Sequence, residues 1–276
     1  MKLSALLARR SFLIGAVIVG GIALAALLAG YLAPFDPVKN NYRYRLGAPN
    51  EVYLLGTDRY GRDVLSRILW GAQVSLRIGF GVALATAFAG GLIGLAAGWW
   101  RGLDGWLMRV MDGLMAFPGV LLAIALAATL GPSEVNVMIA LTIAYTPRTA
   151  RIVRGAVLVA AAQEYVEAAR AIGAGPARLL LRHILPAAVA PLVVQQTYVF
   201  ALAILAEAVL SFVGVGPPPP TATLGAIIAD GRDAIVEAPW VTLYPGMVIS
   251  VLVLGLNLLG DGLRDALDPR MRQALR

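Results

Sequence analysis

Few residues in this chain are of types that carry chemistry. The most informative group of them lies in one stretch, 163–186, which reads QEYVEAARAIGAGPARLLLRHILP. It holds Glu164, Glu167, Arg170, Arg178, Arg182 and the sole histidine, His183. A single histidine cannot build a multi-His metal cage, and with no second ligand in view His183 reads as a packing or hydrogen-bonding residue. No cysteine is present, which excludes thiolate nucleophiles, thiolate metal sites and disulfides. A nucleotide-binding P-loop needs a Gly-rich run that ends in Lys. The lysines are Lys2 and Lys39, and neither follows such a run. No catalytic residue, cofactor site or metal site is therefore expected.

The elements that position this stretch follow from composition. The chain has 276 residues, 59% hydrophobic and 14% charged, with a mean hydropathy of +0.77. A soluble chain of this size needs more polar surface, whereas apolar runs of this length suit a hydrocarbon core about 30 Å thick. Six apolar runs stand out: 12–32, 74–98, 113–130, 137–149, 187–212 and 241–259. The fold class expected is an all-α membrane protein with six transmembrane helices. The opening Arg9-Arg10-Ser11-Phe12-Leu13 resembles a twin-arginine export signal, but the apolar run behind it exceeds a signal core of about 7–15 residues and further runs follow. It reads as a retained anchor.

The net charge of +7 would suggest nucleic acid in a soluble protein, but here the basic residues bracket apolar runs, a topological pattern. The connection 131–136 has Glu134 and no Lys or Arg, while the segment between the fourth and fifth runs is assigned Arg148, Arg151, Arg154, Arg170, Arg178 and Arg182. The C-terminal tail carries Arg264, Arg270, Arg272 and Arg276. Basic connections stay cytoplasmic, so both termini and the Arg-rich loop are expected inside, at the inner membrane of a bacterium. One segment runs against the rule: Lys39, Arg43, Arg45, Arg59, Arg62 and Arg67 fall on the outer side, mixed with Asp36, Glu51, Asp58 and Asp63.

The stretch 163–186 is too polar to cross a bilayer, yet helical on both sides of a break. Glu164 to Ile172 suits a short helix with acids near its start and Arg170 near its end. Gly173-Ala174-Gly175-Pro176 stops it, and Pro176 suits the first turn of a second helix whose apolar face is Leu179, Leu180, Ile184 and Leu185. Ala168 and Ala169 would present a nearly flat surface to an approaching protein. Chemistry alone leaves two readings open, a docking element or an amphipathic helix on the membrane surface. In the second apolar run, Gly90, Gly94 and Gly98 recur on one helical face and read as a close-packing seam.

Glu167-Ala168-Ala169, Gly173 and Leu185-Pro186 match the EAA loop of ABC importer permeases, EAA-x3-G-x9-I-x-LP, in type and spacing. His183 stands where that pattern prefers Ile, a departure common in the dipeptide, oligopeptide and nickel branch. Leu55-Gly56-Thr57-Asp58 with Gly61-Arg62-Asp63-Val64-Leu65-Ser66-Arg67 resembles the same branch. So do Glu207-Ala208 with Leu210-Ser211-Phe212-Val213-Gly214, and the C-terminal segments 257–265 and 267–270. The likeness covers nearly the whole chain and is closest to the C subunits of dipeptide permeases. At Leu224 relatives often place Trp, and the solute is left open.

The resemblance implies an anchor and outer segment at 1–70, a transmembrane domain at 71–265 with the loop 163–186 inside the cell, and a tail at 266–276. It implies a second homologous permease subunit, two ATP-binding subunits that hydrolyse the nucleotide, and an extracytoplasmic solute-binding protein. Di- or oligopeptides are the first expected cargo, with nickel or another small solute behind. Docking on the ATPase would fall to Glu164, Glu167, Ala168, Ala169, Arg170, Gly173, His183, Leu185 and Pro186. Glu207, an acid within an apolar run, either lines the solute path or hydrogen-bonds neighbouring helices. Glu207 and Asp112 fall at opposite ends of the membrane, which argues against an intramembrane protease dyad. A proton-coupled secondary transporter is the alternative, and it would want titratable groups at mid-membrane.

Overall fold

A computed structural model of the chain describes residues 9–267. Lys2 of the P-loop argument, and Asp268, Pro269, Arg270, Arg272 and Arg276 of the topology and resemblance arguments, lie outside them. The described residues are almost wholly helical. Helix α1 spans Arg10–Leu27 and continues, after a break at Leu28, into α2 at Ala29–Leu32. An irregular arm, 33–63, leads to α3 at Val64–Trp99. Then come α4 (Arg101–Met115), α5 (Gly119–Leu130) and α6 (Glu134–Ala161). Helix α7 is Glu164–Ala171, and α8 (Pro176–Arg178) winds into a π-helical turn at Leu179–Ile184 and on into α9 at Leu185–Val213. Helices α10 (Leu224–Gly231) and α11 (Trp240–Leu267) complete the bundle.

Four of these helices are long and apolar enough to cross a membrane among the described residues: α1, α3, the continuous Pro176–Val213 helix and α11. The expected third run, 113–130, is not one helix. It falls across α4 and α5, which are bent by 87° at Ala116–Pro118, and only if that pair is one span does the number reach five. Pro118 accounts for the break. A proline has no N–H to give the helix, and its ring pushes the preceding residue away from helical dihedrals. The run 137–149 sits inside a longer helix, α6, whose second half carries arginines.

Helix α3 is the axis of the fold, packed by α6, α9 and α1. Its start is fixed by Asp63, whose carboxylate accepts from the Ser66 amide at 2.8 Å and from the Ser66 hydroxyl at 2.6 Å. The glycine seam read from the sequence is the α3–α6 contact. A Cβ on Gly90 would press on Thr149, one on Gly94 on Val153, and one on Gly98 on Val157. Both series ascend together, so the two helices run parallel. Helix α1 packs antiparallel on α11, with Gly15 against Gly255 and Leu259, and Gly262 against Phe12. Without a hydrophobic drive between helices in lipid, such glycines matter because they let backbones approach.

Candidate functional site

The hairpin 163–186 is built from local signals. Helix α7 carries Glu164 and Glu167 in its first turn and Arg170 in its last, each sign set against the opposite end of the helix dipole. It ends on a glycine: Gly173 takes φ +89°. The Gly173 amide donates to the Arg170 carbonyl and the Ala174 amide to the Ala169 carbonyl, both at 3.0 Å, the paired bonds of a Schellman turn. Pro176 opens the second helix. Its π turn lies just ahead of Pro186, which cannot donate to the carbonyl four residues back.

Folding back gives the hairpin a core of its own. Val166 and Ala169 of α7 pack with Leu179, Leu180 and Ile184, and this cluster continues into Val153, Val157 and Ala160 of α6. The Tyr165 hydroxyl donates to the His183 carbonyl at 3.3 Å, tying α7 to the π turn. Glu164, Glu167, Ala168, Arg170, Gly173 and Pro186 are exposed, while His183 and Leu185 are half-buried. The structure thus divides the two alanines. Ala168 is on the surface, but Ala169 faces inward and contributes to no flat exposed patch, since α7 needs a small residue where it meets its own base. Sequence reasoning passed over Ile172, which is 87% exposed beside the glycine turn.

A second polar assembly lies at the opposite end of the bundle. Asp58 of the arm is fully buried and accepts from the backbone amides of Tyr60 and Arg62. Its other oxygen takes Arg62 Nε and Arg67 Nη1, each at 2.7 Å. Arg62 and Arg67 reach onward to Asp230 at the end of α10, at 2.8 and 3.0 Å, and Arg59 joins at 3.3 Å. Buried charge is costly unless paired, and here each guanidinium meets a carboxylate. The arm's turn needs a glycine: Gly61 has φ +72°, and a Cβ there would collide with the Asn41 carbonyl. A cleft of about 420 Å³ opens between this cluster, the loop 214–221 and α10. The one available signal was chemical: an arginine just ahead of an apolar run, once drawn into the helix, requires a partner, and only the fold supplies it.

Glu207 lies below that cluster, fully buried. Its oxygens accept from Ser75 Oγ of α3 at 3.1 Å and from Ser211 Oγ, one turn on, at 2.7 Å. Ser75 in turn accepts from the Leu224 amide at 3.2 Å, and Thr223 caps α10 through the Ala226 amide at 3.0 Å. The carboxylate therefore joins α3, α9 and the start of α10. Of the two readings open from sequence, this geometry is that of a hydrogen-bonding hub between helices. Asp112 is far from it, paired with Arg151 on α6 at 2.5 Å.

The family described as binding-protein-dependent transport system inner membrane component matches residues 87–273. The chain belongs to this family of transport permeases. The N-terminal TM domain of oligopeptide transport permease C matches residues 3–49. A Brucella suis protein, provisionally named as a peptide transport system permease, is 53% identical over 267 residues, 97% of this chain and 90% of its own. The dipeptide transport system permease protein of Haemophilus influenzae is 41% identical over 271 residues, 96% of this chain and 92% of its own. The glutathione transport system permease protein of Escherichia coli is 43% identical over 261 residues, 91% of this chain and 84% of its own. The permease is thus a multi-pass inner-membrane subunit of an ABC importer. It is a transport subunit and not an enzyme, and ATP hydrolysis belongs to a separate chain of such systems.

Proposed function

We propose that this permease forms half of the path by which di- or oligopeptides enter the cell, and that the hairpin 163–186 is the handle through which ATPases drive it. The observation that carries this reading is the α7 hairpin: a preformed, self-packed element whose exposed edge is Glu164, Glu167, Ala168, Arg170, Ile172 and Gly173. Ala169, His183 and Leu185 contribute from behind, by fixing the base on which that edge stands. Near full-length likeness to permeases named for dipeptide and glutathione transport supports a peptide cargo.

Six crossings follow if α5 and α6 each count beside the four longer helices, and both termini are then cytoplasmic. Several observations favour this arrangement. Phe12 packs against Gly262, and Val194 near the start of α9 joins Phe12, Leu263 and Ala266. The arm's contrary positive charge is largely cancelled, because Arg59, Arg62 and Arg67 pair with Asp58, Asp230 and Asp233. The working assembly is a heterodimer with a second homologous permease, two ATP-binding subunits inside and a solute-binding protein outside. The segment 1–70 serves as anchor and outer arm, 71–265 as the transport domain and 266–276 as a cytoplasmic tail.

The decisive experiment is uptake of a labelled dipeptide into proteoliposomes holding the permease and its genetic neighbours. Uptake that requires ATP and the ATPase chains is expected. Accumulation by this chain alone on a proton gradient would overturn the proposal. Reporters fused after Arg182 and after Asn136 are expected to read inside and outside respectively.

A further inference from the structure

We propose that α4 is not half of a membrane crossing but an interfacial helix. It would lie in the headgroup plane of the leaflet on the hairpin side, with anionic lipid phosphates as its partner. Ion-pair geometry carries the inference first. Asp104 binds Arg154 at 2.5 and 2.6 Å, and Asp112 binds Arg151 at 2.5 Å. The two acids are eight residues apart, about 12 Å along α4, but the arginines are three apart, about 4.5 Å along α6. Helix α4 therefore runs across α6 rather than alongside it, in keeping with the 87° bend into α5.

The distribution of side chains around α4 is the second, independent observation. Arg101, Asp104 and Asp112 share one face. Leu103, Trp106 and Val110 recur at helical spacing on the other, and they are 48%, 71% and 57% exposed. Trp99 and Trp100 stand at the junction just before α4. Tryptophan collects at membrane–water boundaries, and a helix with one apolar and one charged face settles in that plane. Arg101 and Arg109 are exposed and have no ion-pair partner among the described residues, which leaves two cations for phosphates. Leu92 and Phe88 toward the end of α3 are exposed as well.

Helix α5 is then left to cross alone. Its 12 residues rise about 18 Å. Through its two ion pairs α4 would fix the depth of α6, and hence the height at which α6 presents α7. The placement rests on the importer reading only for the existence of a bilayer.

The chain has no cysteine, so Leu103→Cys, Trp106→Cys and Val110→Cys can each be spin-labelled directly in the full-length permease with its co-expressed partner subunits. Collision with oxygen and with a nickel chelate would be measured in nanodiscs of phosphatidylethanolamine and phosphatidylglycerol. Three labels at one shallow depth, favouring oxygen, are expected. An Arg101→Gln/Arg109→Gln variant is expected to lose the difference between nanodiscs with and without phosphatidylglycerol. Depths graded steadily from 103 to 110 would mean a crossing helix, and labels shielded from both reagents would mean a protein partner. Either result overturns the proposal. Quenching by brominated lipids, compared between unlabelled permease and Trp106→Phe, gives the depth of Trp106 without a label. Depth does not depend on which side faces the cytoplasm, so an error in the orientation proposed above would show in the fusion reporters and not here.

Discussion

Arg67 and Asp230 meet at 3.0 Å across 163 positions of sequence, and with Asp58 they bind the arm 33–63 to the end of α10. Arg67 is almost wholly buried. Removing one partner of such a pair strands the other charge, at a cost of about 3–5 kcal/mol for a fully buried pair. Asp58→Ala is expected to fall in that range. Asp230→Ala should cost less, because Asp230 keeps some solvent contact and Arg67 keeps Asp58. Thermal unfolding of the purified permease in detergent would check the order, which equal losses would contradict.

The α3–α6 seam predicts a different failure. Gly94→Leu places a branched side chain where a Cβ alone already meets Val153 at 2.7 Å. Overpacking costs about 1–3 kcal/mol, and α3 and α6 have little freedom to separate while Gly90 and Gly98 hold them together. Lower thermal stability is expected. Gly102→Leu is the control, since nothing lies within 4 Å of that position.

For Glu207 the contrast between two substitutions is the informative quantity. Glu207→Gln keeps an acceptor for one serine and a donor toward the other, so a loss of about 1 kcal/mol is expected. Glu207→Ala leaves the hydroxyls of Ser75 and Ser211 without their acceptor, and a loss of about 2–4 kcal/mol follows, near 1–2 for each. Dipeptide uptake normalised to folded protein should change little with Gln. A tenfold fall in that normalised rate would return Glu207 to the solute path.

Gly173→Arg tests the handle. A non-glycine residue in left-handed dihedrals costs about 1–2 kcal/mol, and the exposed site leaves room for the side chain, so membrane insertion is expected to survive. ATP-driven uptake should drop at least tenfold while the ATPases keep their basal turnover. Normal uptake with stimulated hydrolysis would contradict the docking role.

These results also mark what a linear reading can reach. The hairpin was legible because helix punctuation is local: acids at 164 and 167, glycine at 173 and proline at 176 each act on their own neighbours. The bend between α4 and α5 was missed although Phe117-Pro118 announces it, because averaging hydropathy over 113–130 hides one interrupted turn. Ala169 was placed on the docking face and lies instead in the hairpin's core, since alanine suits a core and a docking face equally. The partnership of Arg67 with Asp230 was beyond reach, because charge pairing over that separation exists only once α10 has folded back onto the arm. The basic residues of the arm looked like a topological contradiction for the same reason.

Helix α3 runs unbroken for 36 residues, about 54 Å, from Asp63 to the tryptophans at its far end. Its second half is fastened to α6 at three successive turns, where Gly90, Gly94 and Gly98 let Thr149, Val153 and Val157 lie directly against the backbone. A push on α6 at its hairpin end would pass directly to α3 through that seam. The arm is fixed to the opposite tip of the same rod, so a displacement at the hairpin end of the bundle is carried along α3 to the arm.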